Sequence, residues 1–289
     1  MTSLFGLGLR AAVVSATFLA SAALVQAEED GGEVEHFPIA KTQLQRWTFS
    51  GPFGRFDQAQ LQRGFQVYRE VCSGCHSLDL VAFRNLGDEG GPHFGEEEVK
   101  ALAAEYEVTD GPDEYGDMFD RPAKPYDRYP APFPNAQAAA SSNGGAVPPD
   151  LSVMAKARAA PRGLQWMPVD LLTAYQEAGA DYLYALLTGY EDAPAGVELA
   201  EGTYYNPYFL ASAALAMPNP LDDGYVTYED GSPETIEQYA RDVSAFLMWT
   251  AEPHLVERKR IGFQVMVFLV IFAGLLYLTK KKVWAGTAH

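Results

Sequence analysis

Residues 71 to 76 read Val-Cys-Ser-Gly-Cys-His, placing two thiols, Cys72 and Cys75, three residues apart and an imidazole, His76, directly after the second. Thiols at that spacing can add to the two vinyl groups of a haem. The histidine then lies beneath the iron as proximal ligand, so the pattern marks covalent c-type haem attachment. Three other uses of such a pair fit less well. A tetrahedral zinc site wants a second ligand pair, yet these are the chain's only cysteines and His36, His93, His254 and His289 are scattered singly. A redox-active dithiol follows a strand in a βαβ setting, whereas this pair ends a helical pattern. A structural disulfide leaves the adjoining histidine without a role.

The sixth ligand decides between carrier and catalyst, because an open iron position binds substrates and a filled one does not. Met1 lies in an N-terminal apolar leader and Met266 in a C-terminal apolar run, which leaves Met118, Met154, Met167, Met217 and Met248. Met217 is the best placed of these. It sits in Ala-Met-Pro-Asn-Pro, where Pro218 and Pro220 restrict the backbone and can hold a thioether against iron. Met248 shares an apolar helical stripe with Phe246 and Leu247, where a core role is expected.

Positioning these groups falls to helices. Leu61, Phe65, Tyr68, Cys72 and Cys75 recur at three- or four-residue spacing, which predicts a helix over residues 57–76 with Asp57 as N-cap. From Leu86 to Pro149 the chain is rich in Gly, Pro and acids, and is expected to be loop with one short helix over residues 96–107. Further helices are expected over residues 168–177 and 180–188, closed by Gly179 and Gly189. Another is expected over residues 233–251, opened by Ser232 as N-cap with Pro233 in its first turn. Strand-like alternation is scarce. The expected fold is mainly α with long loops.

The chain's ends assign a compartment. Residues 1–27 carry one cation, Arg10, then an apolar stretch and Val25-Gln26-Ala27, the form of a cleavable signal peptide. Ile261 to Thr279 is an uncharged apolar run of 19 residues between Arg258-Lys259-Arg260 and Lys280-Lys281-Lys282, the form of one transmembrane helix. The flanking cations tie at three against three, so orientation rests on the signal peptide. Export places residues 28–257 outside the cytoplasm, with residues 258–289 as anchor and short cytoplasmic tail. All 38 acids fall between Glu28 and Glu257 with only 14 of the 21 Lys and Arg, giving that domain a net charge of −24. Nucleic acid, which needs cations to displace counterions, is excluded as a partner. The acidic domain suits a basic soluble partner or a merely solubilising surface, and composition alone leaves the two about even.

Six segments in one order, GFQVYREVCSGCHSL, RPAKPYDRYPAPFPN, NGGAVPPDLS, DYLYALLTGY, YNPYF and AMPNP, together resemble the cytochrome c1 family. The resemblance spans roughly Gly51 to His254 and the tail anchor. It implies an elaborated class I cytochrome c fold, with Met217 as axial partner of His76. It further implies Arg158 and Tyr182 near the haem propionates, and Asn143, Pro148 and Pro149 lining the haem crevice. The segment from Ala159 to Ala180 is longer than in some family members, which bears on how Tyr182 is placed. Family members serve the cytochrome bc1 complex in the bacterial inner membrane beside cytochrome b and the Rieske iron–sulfur subunit. The expectation is therefore an electron-transfer subunit rather than an enzyme on its own. It takes one electron from the Rieske protein and passes it to a soluble or tethered c-type cytochrome on the periplasmic side. The rivals are a membrane-anchored haem peroxidase or oxidase subunit with an open distal site, and an assembly role with haem as structural filler.

Overall fold

The computed structural model describes residues 39–159 and 162–286. The signal-peptide segment lies outside the described residues. In chain order they form α1 (Gln58–Val67), α2 (Glu96–Ala104), β1 (Glu107–Asp110), β2 (Phe119–Pro122), α3 (Ala136–Ser142) and α4 (Met154–Ala157). The chain continues through α5 (Met167–Thr173), α6 (Ala178–Thr188), β3 (Tyr204–Tyr205), β4 (Ala214–Leu215), α7 (Ile236–Ala251) and α8 (Leu255–Val283). The mainly helical architecture with little sheet agrees with the expectation. The strands make two antiparallel ribbons, one pairing Glu107 with Pro122 through Asp110 with Phe119, the other pairing Tyr204 with Leu215.

Helix α1 begins where expected, because the Asp57 carboxylate accepts from the Gln60 amide at 2.8 Å and satisfies a donor that the first turn leaves orphaned. It does not run on to the haem motif as one α-helix. From Tyr68 to Cys72 the backbone widens into a π turn, closed by the Ser73 amide donating to the Tyr68 carbonyl at 2.8 Å.

Behind that turn α1 packs across α7. A Cβ on Gly64 would sit 2.1 Å from the Asp242 carbonyl oxygen, so only glycine lets the two backbones approach this closely. Next to the crossing, the fully buried Asp242 carboxylate accepts from Arg63 Nε at 2.8 Å, from Gln60 Nε2 at 3.2 Å and from Gln238 Nε2 at 2.9 Å. Removing it takes one of two carboxylates from the half-buried Arg63, which keeps Asp230 at 2.7 Å, and leaves the Gln60 and Gln238 amides without this acceptor. Asp242→Ala should therefore lower the free energy of unfolding by about 3–5 kcal/mol, read as an earlier urea midpoint. Asp242→Asn, which keeps part of the acceptor set, should lose less.

An aromatic cluster fills the space between these helices and the loops. Phe65, Tyr68 and Phe83 meet Tyr129 at 6.2, 5.7 and 4.7 Å between ring centroids, and Phe65 meets Phe246 at 5.7 Å. Such pairs contribute about 0.5–1.5 kcal/mol each beyond burial. The tyrosine hydroxyls are not left dry, since Tyr129 donates to Tyr106 at 2.7 Å. Met248 is fully buried here, in the core role its stripe predicts.

Several boundaries differ from the sequence expectation. Helix α7 is capped by Thr235, whose hydroxyl accepts from the Gln238 amide at 3.4 Å, and not by Ser232. The Ser232 amide donates instead to Asp230 Oδ1, which keeps residues 232–235 in a loop. Gly179 does not close α5. It lies in the first turn of α6, where a Cβ would fall 1.5 Å from the Ala155 carbonyl of α4. The end of α5 is made by Ala174 in the left-handed region, at φ 52°. The region expected to hold one short helix also forms the β1–β2 hairpin and α3, and α2 stops at Ala104 because Glu107 enters β1.

The apolar run predicted at the C-terminus lies inside the 29 residues of α8, the one helix among the described residues long and apolar enough to cross a membrane. No part of its lipid-length stretch is buried, which supports a single-pass membrane protein.

Candidate haem site

The turn after the π segment brings both thiols and the imidazole together. The Cys75 and His76 amides both donate to the Cys72 carbonyl, at 3.1 and 2.9 Å, so Cys72, Cys75 and His76 share one tight loop. Both cysteines are free thiols, which sets aside the structural disulfide. Burial, and then the neighbouring Cys75, push the Cys72 thiol up to about 12. A thiol so reluctant to ionise is a poor redox nucleophile.

The His76 ring is fixed from the opposite side of the loop layer. Its Nδ1 lies 2.8 Å from the Pro149 carbonyl oxygen. A carbonyl only accepts, so Nδ1 carries the proton and Nε2 keeps its lone pair. That is the tautomer a metal ligand requires. Burial holds this imidazole below its ordinary range, opposed by the Pro149 hydrogen bond and the Asp150 charge, and so favours the neutral ligand form. The Tyr68 hydroxyl donates to the His76 carbonyl at 3.0 Å and ties the motif to the aromatic cluster.

Pro149 is held by a staple that sequence reasoning missed. Asp150 accepts from Ser77 Oγ at 2.9 Å and from the Asp79 amide at 2.7 Å, while the Leu151 amide donates to the Ser77 carbonyl at 2.9 Å. These bonds lace the Pro-Pro-Asp-Leu-Ser segment onto the residues following His76. The visible signal was the segment itself, though nothing local shows that it pairs some 70 residues upstream.

Pro148 precedes that staple in the same loop. Asn143 ends α3, its side-chain amide donating to the Ala139 carbonyl at 2.7 Å, and Gly144 and Gly145 follow with φ 61° and 95° to reverse the chain toward the prolines. Arg158 caps the end of α4 and is exposed. Its charge acts on the buried Tyr182 of α6, whose phenol burial pushes up while a Leu210 backbone hydrogen bond and Arg158 pull down. The close approach of α4 and α6 at Gly179 is what brings Arg158 and Tyr182 together.

Met217 is half-buried and packs on the core, just after β4. The Tyr190 hydroxyl donates to its carbonyl at 3.1 Å. Tyr190, another residue that sequence reasoning did not select, also feels the Tyr182 phenol. Tyr182, Tyr190 and Met217 therefore share one neighbourhood. Among the described residues no group of three or more His, Cys, Asp or Glu side chains could hold a metal ion. Thiols free to form thioethers and a histidine with Nε2 unprotonated are the donor set a covalently bound haem needs, and the residues fit that group.

The Cytochrome C1 family model matches residues 47–287. The chain belongs to the cytochrome c1 family. A protein named cytochrome b/c1 from Bradyrhizobium diazoefficiens is 57% identical over 84% of this chain, which spans only 35% of that protein's length. Proteins named cytochrome c1 from Blastochloris viridis and Rhodospirillum rubrum are 48% and 43% identical, over 94% and 97% of this chain and 94% and 98% of their own. Membership in the cytochrome c1 family gives the chain a haem and a place in respiratory electron transport.

Proposed function

We propose that this chain is the cytochrome c1 subunit of a cytochrome bc1 complex in a bacterial inner membrane, with its haem domain on the periplasmic side. It works there between the Rieske iron–sulfur protein and a basic c-type cytochrome, beside cytochrome b. The haem, when bound, supplies a one-electron change of iron valence. Cys72 and Cys75 would hold the group by thioether bonds, and His76 Nε2 and Met217 would be the iron's protein ligands. Arg158 and Tyr182 meet the propionates, since a carboxylate in a partly dry crevice is costly without a guanidinium or phenol beside it. Asn143, Pro148 and Pro149 wall the crevice and exclude water. A soft, neutral thioether favours the reduced state and raises the potential above that of a bis-imidazole haem.

The observation that carries this reading is the His76 hydrogen bond to Pro149, which leaves Nε2 as the only ring atom free to ligate. Assembly with cytochrome b is supported by family membership and by the relative named cytochrome b/c1.

The docking charge lies in the segment from Glu96 to Asp120, which has ten acids and one lysine. Lys100 pairs with Glu96 at 2.8 Å and Glu97 at 3.0 Å, which offsets only part of that charge. Oxidation of the reduced protein by a basic soluble c-type cytochrome should slow about ten-fold or more from low to physiological salt, as screening removes the steering field. Stopped-flow traces at graded ionic strength give the test. A rate that is flat or rises with salt rejects an acidic docking face.

A further inference from the structure

Arg258, Lys259 and Arg260 precede the apolar run where α8 leaves the haem domain, and an equal triplet stands at its other end. Topology therefore does not account for them. Two of the three have protein partners: Arg258 reaches Glu252 and Gln176, and the buried Lys259 donates from Nζ to the Phe49 carbonyl at 2.6 Å. Arg260 is exposed with no side-chain hydrogen bond or ion pair among the described residues, and so is Arg55.

Both arginines line a cleft of about 920 Å³ between the loop of residues 52–56 and the first turns of α8. Phe53, 69% exposed, meets Phe263 edge to face there, with ring centroids 5.3 Å apart. At about 1.5 Å per residue, the apolar run that starts at Ile261 matches a hydrocarbon core of about 30 Å. Arg260 thus sits at headgroup level, with the Phe53–Phe263 pair where acyl chains begin, the depth that aromatic side chains favour. The same cleft carries acids: Asp88, Glu89 and Glu257. A purely anionic ligand would meet those carboxylates. A ligand with both a phosphate and a primary ammonium would pair its ammonium with them.

We propose that this cleft is a binding site for the zwitterionic headgroup of phosphatidylethanolamine from the adjoining leaflet. Its phosphate lies on Arg55 and Arg260, its ammonium on the acids of the rim, and its acyl chains run down past Phe53 and Phe263. The ammonium can donate hydrogen bonds to the carboxylates, which the quaternary ammonium of phosphatidylcholine cannot. The contact steadies the haem domain on the membrane surface at its hinge with α8.

Native mass spectrometry of the full-length haem-loaded chain in detergent tests the site, with phosphatidylethanolamine, phosphatidylglycerol and phosphatidylcholine titrated separately. The wild-type chain should retain phosphatidylethanolamine in preference to both others. Arg55→Gln with Arg260→Gln should weaken that retention about thirty-fold, the size expected from two interfacial cations. Arg55→Lys with Arg260→Lys should keep most of it, and Glu89→Gln with Glu257→Gln should erase the preference over phosphatidylglycerol. All these side chains are exposed, and an unchanged visible haem spectrum verifies each variant's fold. The proposal fails if phosphatidylglycerol or phosphatidylcholine binds as well, if the arginine pair is without effect, or if inorganic phosphate displaces the lipid. It also fails if no lipid is retained, the result expected of a cleft shaped for a neighbouring subunit.

Discussion

Serine at both Cys72 and Cys75 should leave the chain with no covalently attached haem, so that the haem stain of a denaturing gel disappears and acidified organic solvent extracts whatever pigment remains. The expectation follows from the turn that holds Cys72, Cys75 and His76 in one tight loop, with no other thiol in the sequence. The single variants should be graded rather than null. One remaining thioether still tethers the group but leaves a vinyl conjugated with the macrocycle, which moves the visible bands to longer wavelength. A wild-type chain that carries zinc and no covalent pigment, with the zinc lost in the double variant, would support the metal-site alternative instead.

Met217→Leu should separate attachment from ligation. The thioethers and His76 are untouched, so covalent haem should remain at the wild-type level. The iron would lose its soft sixth ligand, and the reduction potential should fall by on the order of 0.2 V, within the about 0.8 V range that axial ligands command. Reduced Met217→Leu protein should then bind carbon monoxide. Because Tyr190 holds the residue through its backbone carbonyl, the substitution leaves that hydrogen bond intact and the surrounding loop in place. Equilibrium titration with redox mediators measures the fall. A variant with unchanged potential would mean that Met217 is not the ligand.

Much of the fold was legible because its signals are local. A period near 3.6 gave α1, α6 and α7. A 19-residue apolar run gave the spanning part of α8, and Asp57 announced its own helix. Misplaced boundaries trace to forces that act across the chain. Ser232-Pro233 has the form of a helix start, but Asp230 holds the Ser232 amide, Glu234 holds the Tyr228 amide and Asp223 holds the Ile236 amide, so the helix waits for Thr235. Gly179 reads as a stop from its type alone. Its purpose is the contact with Ala155, which no window around residue 179 reveals.

The candidate site divides in the same way. The two thiols and His76 are contiguous, so their chemistry is written in one line of sequence. Pro149, Arg158, Tyr182 and Met217 came from the family resemblance or from elimination among methionines. Their placement depends on contacts made over long separations, as the 73 residues between His76 and Pro149 illustrate. Asp150 and Tyr190 were missed for that reason. An aspartate after two prolines looks like a turn, and a tyrosine after a helix looks like core, until the partners that give them their positioning roles are seen.

The central claim is an iron held on both faces by side chains, as an electron carrier requires. It is tested most directly by the visible spectrum of the reduced, purified wild-type protein before and after exposure to carbon monoxide. The account predicts no change, because a haem ligated by both His76 and Met217 offers no vacant position. A clear spectral shift would contradict it, showing an open or labile sixth position suited to peroxidase or oxidase chemistry.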